Sequence, residues 1–170
     1  MDTVVDIVKY DLSDAEFEEQ RRRIEEEVAA NRPVLFRKPK RSSGVLEHEV
    51  RAALAMADEA YKNGEWLDAA QVYLQMSEMK VGPLKIVAKL AFCGMMSGDL
   101  TVAYPNAKEA IQAMSVESDA YLAMAYMKLY LSIPTQAEKW LALARLASNR
   151  HDDLIAEVAT EIELVKKLCA

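Results

Sequence analysis

Cysteine is scarce in this chain, with two among 170 residues, and long apolar runs are lacking. Cys93 and Cys169 are too few for a disulfide framework and favour a reducing compartment. The most apolar stretch, residues 121–133, is too short to cross a bilayer and is interrupted by Lys128. The N-terminus lacks the charged-then-apolar pattern of a secretory signal. We therefore expect a soluble, cytoplasmic protein without direct membrane insertion.

Positive charge is also in deficit, since the formal net charge is −6. General nucleic-acid binding draws most of its affinity from neutralising phosphates, so this balance argues against it. The exception is the segment 32–41, which holds five basic residues and no acid. It could bind an acidic surface in trans or fold back onto this protein, but the favoured interpretation is a solvated linker.

Motifs for catalysis are missing. His48 and His151 lie far apart in the chain, and neither has a metal ligand at a suitable spacing. Glycine-rich phosphate loops are absent, and no base is implied beside a nucleophile. Cys93 lies in an apolar helical pattern and is expected to be a packing residue. We predict no catalytic residue, metal or cofactor.

What the chain does have is a repeat of 34 residues. Four columns of positions share this interval: Ala57, Ala91 and Ala125; Ala69, Ala103 and Ala137; Gly64, Gly98 and Ser132; and Met76, Ala110 and Ala144. This period is typical of helix-turn-helix arrays, in which each unit buries its apolar face on its neighbours. Alanine permits close helix crossings, and glycine or serine permits the turn between helices.

The segment Ala57–Ala69, with Trp66 at an aromatic position, resembles the core of the tetratricopeptide repeat (TPR). The resemblance covers about residues 50–149, with departures at Pro105 and Pro134. It implies an all-α fold in which three TPR helix hairpins form a right-handed superhelical array. The repeats would span about 50–83, 84–117 and 118–149.

One domain with an arm is expected, since the chain is too short for two ordinary domains: an N-terminal arm over 1–44 and a TPR domain over 45–170. In the arm, a capping box formed by Ser13 and Glu16 predicts a helix at about 14–30, followed by a basic linker at 31–44. Residues 1–12 are too short a pattern to assign. Seven further helices are predicted at about 45–62, 66–79, 84–97, 100–113, 119–131, 134–147 and 152–168, the last an amphipathic capping helix. Ser118 is expected to cap one helix, and Pro134 to sit in the first turn of another.

In TPR proteins the first helix of each unit lines a concave groove, and the resemblance assigns that role here by position. The predicted partner-binding groove consists of Leu54, Tyr61, Phe92, Met95, Met96, Leu122, Tyr126, Leu129 and Tyr130. Such a surface suits an extended apolar or proline-containing segment. The alternative, that these side chains are ordinary core, stays open. Basic groups for clamping a terminal carboxylate are lacking, since only Lys89 fits that pattern.

Three adjacent apolar residues, Val34, Leu35 and Phe36, stand in the basic linker. They predict a self-docking segment whose receptor is a groove in this protein or in a second copy, which would make a homodimer through the arm. Equally, they could cover part of the first repeat.

The expected architecture resembles the small class II chaperones that hold translocator subunits of bacterial type III secretion systems. That resemblance implies a groove that keeps an extended apolar segment of a secreted partner soluble, with Phe92, Met96, Tyr126 and Tyr130 as anchors. The alternative is a TPR adaptor or assembly factor within a larger protein complex. An enzyme is the third class, and no motif supports it.

Overall fold

A computed structural model describes residues 2–170, and in that range the chain forms nine α-helices and one two-stranded ribbon. The all-α class predicted from the sequence is confirmed. The elements are α1 (Thr3–Lys9), α2 (Asp14–Ala30), β1 (Phe36–Arg37), α3 (Glu47–Lys62), α4 (Trp66–Met79), β2 (Gly82–Pro83), α5 (Lys85–Ser97), α6 (Leu100–Gln112), α7 (Ser118–Tyr130), α8 (Pro134–Leu146) and α9 (Asp152–Cys169). None of the described helices combines the length and the apolar character needed to span a membrane.

The helices from α3 to α9 pack in sequence order, each against the next. Helix α7 also packs against α5 and α9, so it lies at the centre of the molecule. The arm covers the second half of this array, because α1 packs on α6 and α7 while α2 packs on α8.

The small residues of the 34-residue repeat lie at the helix contacts. All three alanine-rich columns are buried: Ala57, Ala91, Ala125, Ala69, Ala103, Ala137, Met76, Ala110 and Ala144. Gly94 marks the closest approach, since a Cβ added there would lie 2.6 Å from the backbone nitrogen of Ala103. Small side chains are needed because α5 and α6 touch backbone to backbone.

The glycine and serine column forms the turns within successive helix pairs. Gly64, Gly98 and Ser132 have φ values of 75°, 76° and 60°. This left-handed conformation ends a helix and suits glycine best, because any Cβ is crowded there. The turn chemistry predicted from the column is confirmed, and Ser132 carries the conformational cost.

Replacing Ser132 with glycine is expected to stabilise the protein by about 0.5–1 kcal/mol, because it removes left-handed strain at an exposed turn. Urea denaturation would measure the change in the free energy of unfolding. Ser97→Gly is the matched control, since Ser97 is helical and its hydroxyl donates to the Cys93 carbonyl at 2.8 Å. The control should be destabilised; equal shifts in both variants would refute the turn argument.

Helix ends match the sequence predictions within about two residues, with one correction at the start of α7. Ser118 is the first helical residue and not the cap, because its hydroxyl is buried and donates to the Ala144 carbonyl at 2.7 Å. Pro134 occupies the first turn of α8, as predicted. Pro105 leaves α6 at its full length.

The arm is helical in both of its N-terminal segments. Residues 3–9, left unassigned above, form α1, and α2 has the predicted bounds. Ser13 caps α2 by accepting from the Glu16 backbone N–H at 3.1 Å. The reciprocal half of the capping box differs, since the Glu16 carboxylate accepts from the Ser13 hydroxyl and not from its backbone.

A buried lysine fastens the arm to the array. Lys128 of α7 is 0% exposed, and its ammonium donates to the Ile7 carbonyl at 2.6 Å and to the Val8 carbonyl at 3.3 Å. It also pairs with the Asp11 carboxylate at 2.6 Å. These contacts satisfy the three donors of the ammonium within the protein.

The basic linker is not simply solvated, which corrects the favoured interpretation. Strand β1 pairs antiparallel with β2, and the Arg37 guanidinium donates to the Val81 and Gly82 carbonyls. Phe36 is half-buried beneath the guanidinium of Arg51, whose central carbon lies 4.0 Å from the ring centroid. Backbone pairing and cation–π stacking therefore dock this part of the linker.

The predicted self-docking segment divides at Phe36. Val34 and Leu35 are 64% and 69% exposed, so only Phe36 of the trio is docked on its own chain. The two exposed residues border a cavity of about 310 Å³ between the end of α2, the start of α5 and the end of α6. Leu84 and Met114 on its lining are exposed as well.

Candidate functional site

A cleft of about 420 Å³ opens where the end of α3 meets the beginnings of α5 and α7. We call it the charged cleft. It is lined by Asp58, Tyr61 and Lys62 of α3, Lys85 and Lys89 of α5, Asp119 of α7, and Asn149, Arg150 and His151 of the loop before α9. Charged and hydrogen-bonding side chains from four segments thus converge on one space.

Asp119 is the buried acid at the floor of the cleft. Its carboxylate accepts a hydrogen bond from the Tyr61 hydroxyl, which lies 3.0 Å from both oxygens. The Nε2 of His151 hydrogen-bonds to Asp119 and lies 2.7 Å from the Tyr61 oxygen. The imidazole also stacks on Phe92, with centroids 4.2 Å apart and planes 9° apart. These contacts join α3, α5, α7 and the last loop.

Asp58 is the second acid, and it is also paired within the protein. It accepts from the Tyr73 hydroxyl at 2.6 Å and from the Lys89 ammonium at 3.0 Å. That ammonium lies 5.1 Å from the centroid of the Tyr61 ring. Both carboxylates of the charged cleft are therefore already compensated by neighbours.

Two potential nucleophiles, Tyr61 on the lining of the cleft and Cys93 on α5, have raised pKa values. Burial, and then the charge of Asp119, raise the pKa of the Tyr61 hydroxyl. Burial also raises the pKa of the Cys93 thiol to about 12, with Asp119 contributing further. An activated nucleophile needs the opposite shift. Among residues 2–170, no three His, Cys, Asp or Glu side chains group closely enough to hold a metal ion.

A short parallel bridge positions His151. The Ser118 N–H donates to the Ser148 carbonyl at 2.9 Å, and the Ser148 N–H donates to the Val116 carbonyl at 2.7 Å. Asn149 then turns the chain with φ 56°, a conformation that asparagine tolerates. The sequence analysis assigned His151 to no site, because the contact with Phe92 depends on this bridge between distant segments. The available local signal was Asn149, a residue type that favours a tight turn before a helix.

Four of the nine predicted groove residues are core and not free surface. Phe92, Met95, Leu122 and Leu129 are buried, which corrects their assignment to an open groove. The reason at Phe92 is that His151 covers its ring. Leu54 and Tyr61 are half-buried and pack against the core.

The remaining three groove residues are exposed, and we call them the aromatic strip. Met96, Tyr126 and Tyr130 are 36%, 36% and 67% exposed. The two tyrosines are one turn apart on α7, and Met96 lies on α5, which packs against α7. Tyr126 follows Asp119 by seven residues, which is close to two full turns and about 10 Å along the axis, so the two lie on the same side of α7.

Comparisons of the chain with protein-family models, curated proteins and solved structures give no match. Geometry and chemistry of the face shared by α3, α5 and α7 therefore carry the functional argument. That face presents paired acids, two lysines outside any salt bridge and an exposed aromatic strip.

Proposed function

We propose that this protein is a TPR-type protein-binding module that holds an extended apolar segment of a partner along the face of α3, α5 and α7. The observation that carries this proposal is the exposed aromatic strip of Met96, Tyr126 and Tyr130. Tyrosine and methionine offer large, adaptable contact area and are enriched where proteins bind one another. The 34-residue repeat with its buried alanines and left-handed turns supports the TPR assignment.

Within this class, the combination of repeat array, helical arm and final helix supports a cytoplasmic chaperone like those of type III secretion translocators. Its role would be to keep an apolar segment of a secreted partner soluble before export. Burial of Phe92 removes one of the four expected anchors and leaves Met96, Tyr126 and Tyr130.

An adaptor within a larger complex is the second candidate, and the cavity beside the linker favours it. Val34, Leu35, Leu84 and Met114 expose apolar surface around that cavity, whose lining includes no residue of the aromatic strip. Co-expression separates the two functions. A chaperone should make an otherwise insoluble partner soluble, whereas an adaptor should co-purify with subunits that are already folded.

Selection from a displayed library of random 12-residue peptides would test the binding face. We expect the wild type to select apolar, extended peptides, and Tyr130→Ala or Tyr126→Ala to bind them about tenfold more weakly, as for an aromatic interface anchor. Thermal unfolding of Tyr130→Ala should hardly change, because Tyr130 is 67% exposed, whereas Tyr126 is 36% exposed and its loss should lower stability modestly.

Leu67→Ala is the matched control, since Leu67 is exposed on α4 and outside this face. It should bind the selected peptides like the wild type. A selection that yields no specific peptides would contradict the proposed function, as would equal affinities for the tyrosine variants and the control.

A further inference from the structure

The charged cleft has a surplus of positive charge in a protein whose net charge is −6. Its lining holds four lysine or arginine side chains against two acids. A local field opposite in sign to the whole protein attracts a ligand of the opposite charge and raises its rate of association.

Pairing within the protein leaves the size of this surplus unchanged and shows which cations carry it. Arg150 lies 3.6 Å from the Asp152 carboxylate. Asp58 pairs with Lys89, and Asp119 accepts from Tyr61 and His151. Lys62 and Lys85 form no salt bridge anywhere in the part of the chain that the structure describes. Two ammonium groups therefore border the cleft outside any salt bridge, although Lys85 also interacts electrostatically with the Glu117 carboxylate beside it.

We propose that the charged cleft binds the carboxylate side chain of an acidic residue within the partner segment, through Lys62 and Lys85. This inference rests on the proposed function and specifies the ligand further. The ligand is an extended segment with an aspartate or glutamate at the cleft and apolar residues over the aromatic strip. Asp58 and Asp119, each bonded to other groups of the protein, lie beside the lysines. Their negative charge disfavours a ligand group of higher negative charge, such as a phosphate.

Helix geometry predicts the spacing between the acidic residue and the apolar residues of the bound segment. Tyr126 and Tyr130 lie about 10 and 16 Å beyond Asp119 along α7, at 1.5 Å per residue. An extended peptide advances about 3.3–3.6 Å per residue. The apolar residues should therefore stand about three and five positions from the acid.

The test uses the same peptide selection with a charge variant of the cleft. Wild-type protein should select peptides with an acid at a constant spacing of about three to five residues from the apolar positions. Lys62→Gln/Lys85→Gln should bind these peptides about five- to tenfold more weakly at low salt, as expected for two partly exposed charge pairs. Lys40→Gln/Lys167→Gln makes the same charge change outside the cleft and should bind like the wild type.

A matching change in the peptide, in which its acid is replaced by the amide (Asp→Asn or Glu→Gln), completes a double-mutant cycle with the cleft variant. It should weaken binding to the wild type by the same factor and leave binding to the cleft variant unchanged. Apolar peptides selected without an acid, or equal losses in the cleft variant and its control, would overturn this inference alone. Absence of any selected peptide would overturn the proposed function with it.

Discussion

Lys128→Ala is expected to lower the free energy of unfolding by about 2–4 kcal/mol, because a fully buried side chain and its hydrogen bonds are lost. The ammonium of Lys128 is fully buried and bonds the carbonyls of Ile7 and Val8 and the carboxylate of Asp11. Alanine would leave the Ile7 carbonyl with only the Tyr10 N–H at 3.2 Å, remove the side-chain donor to the Val8 carbonyl, and open a cavity beneath α1. The arm should then detach locally, before the array unfolds.

Urea denaturation and amide hydrogen exchange would measure the two effects separately. In the variant, the amides of α1 should exchange much faster, while those of α5 and α7 keep more of their protection. Asp11→Asn is the control, because this carboxylate is half-exposed and its loss should cost only about 1 kcal/mol. If the amides of α1 exchange at the same rate in Lys128→Ala as in the wild type, the lysine does not hold the arm in place.

Gly94→Ala should lower the free energy of unfolding by about 1–3 kcal/mol, as overpacking does in a filled core. Helix propensity alone predicts the opposite, a gain of about 1 kcal/mol. The steric effect should win because the added Cβ would meet backbone atoms of Ala103, at 2.6 Å from N and 3.0 Å from Cα. Backbone of a packed helix cannot turn aside as a flexible side chain can, so α5 and α6 must separate.

Thr160→Ala tests the propensity argument where no packing opposes it. Thr160 is exposed on α9, and alanine there should stabilise by about 0.5 kcal/mol. Urea denaturation of both variants would show changes of opposite sign. If Gly94→Ala is as stable as the wild type, α5 and α6 can move apart to accept the added Cβ without loss of folding free energy, which would contradict the prediction.

Most of the helical structure could be predicted because its signals are local. Gly64 and Gly98 adopt the left-handed turns that end helices, Pro134 begins α8, and Ser13 caps α2. Each signal acts within one or two helical turns of its own residue. Neighbouring sequence therefore suffices to detect it.

The candidate site was predicted only in part because burial depends on distant segments. Phe92 and Leu122 carry the same apolar pattern as Met96 and Tyr126, yet the first pair is core and the second is exposed. The difference at Phe92 comes from His151, which lies 59 positions away in the chain. In the sequence, Lys128 was interpreted as an interruption of an apolar run, because no residue near it indicates that its partner is α1.

The sequence by itself determined the 34-residue period, the helix ends and the burial of the small residues, because regular spacing is enough to place them on contacting faces. Only the tertiary structure decided which large side chains stay exposed and which charges converge in the cleft. Contacts such as Tyr61 with His151, and Lys128 with Ile7, join residues 90 and 121 positions apart. They exist because stacked helices bring distant segments together, and residue spacing carries no record of that stacking.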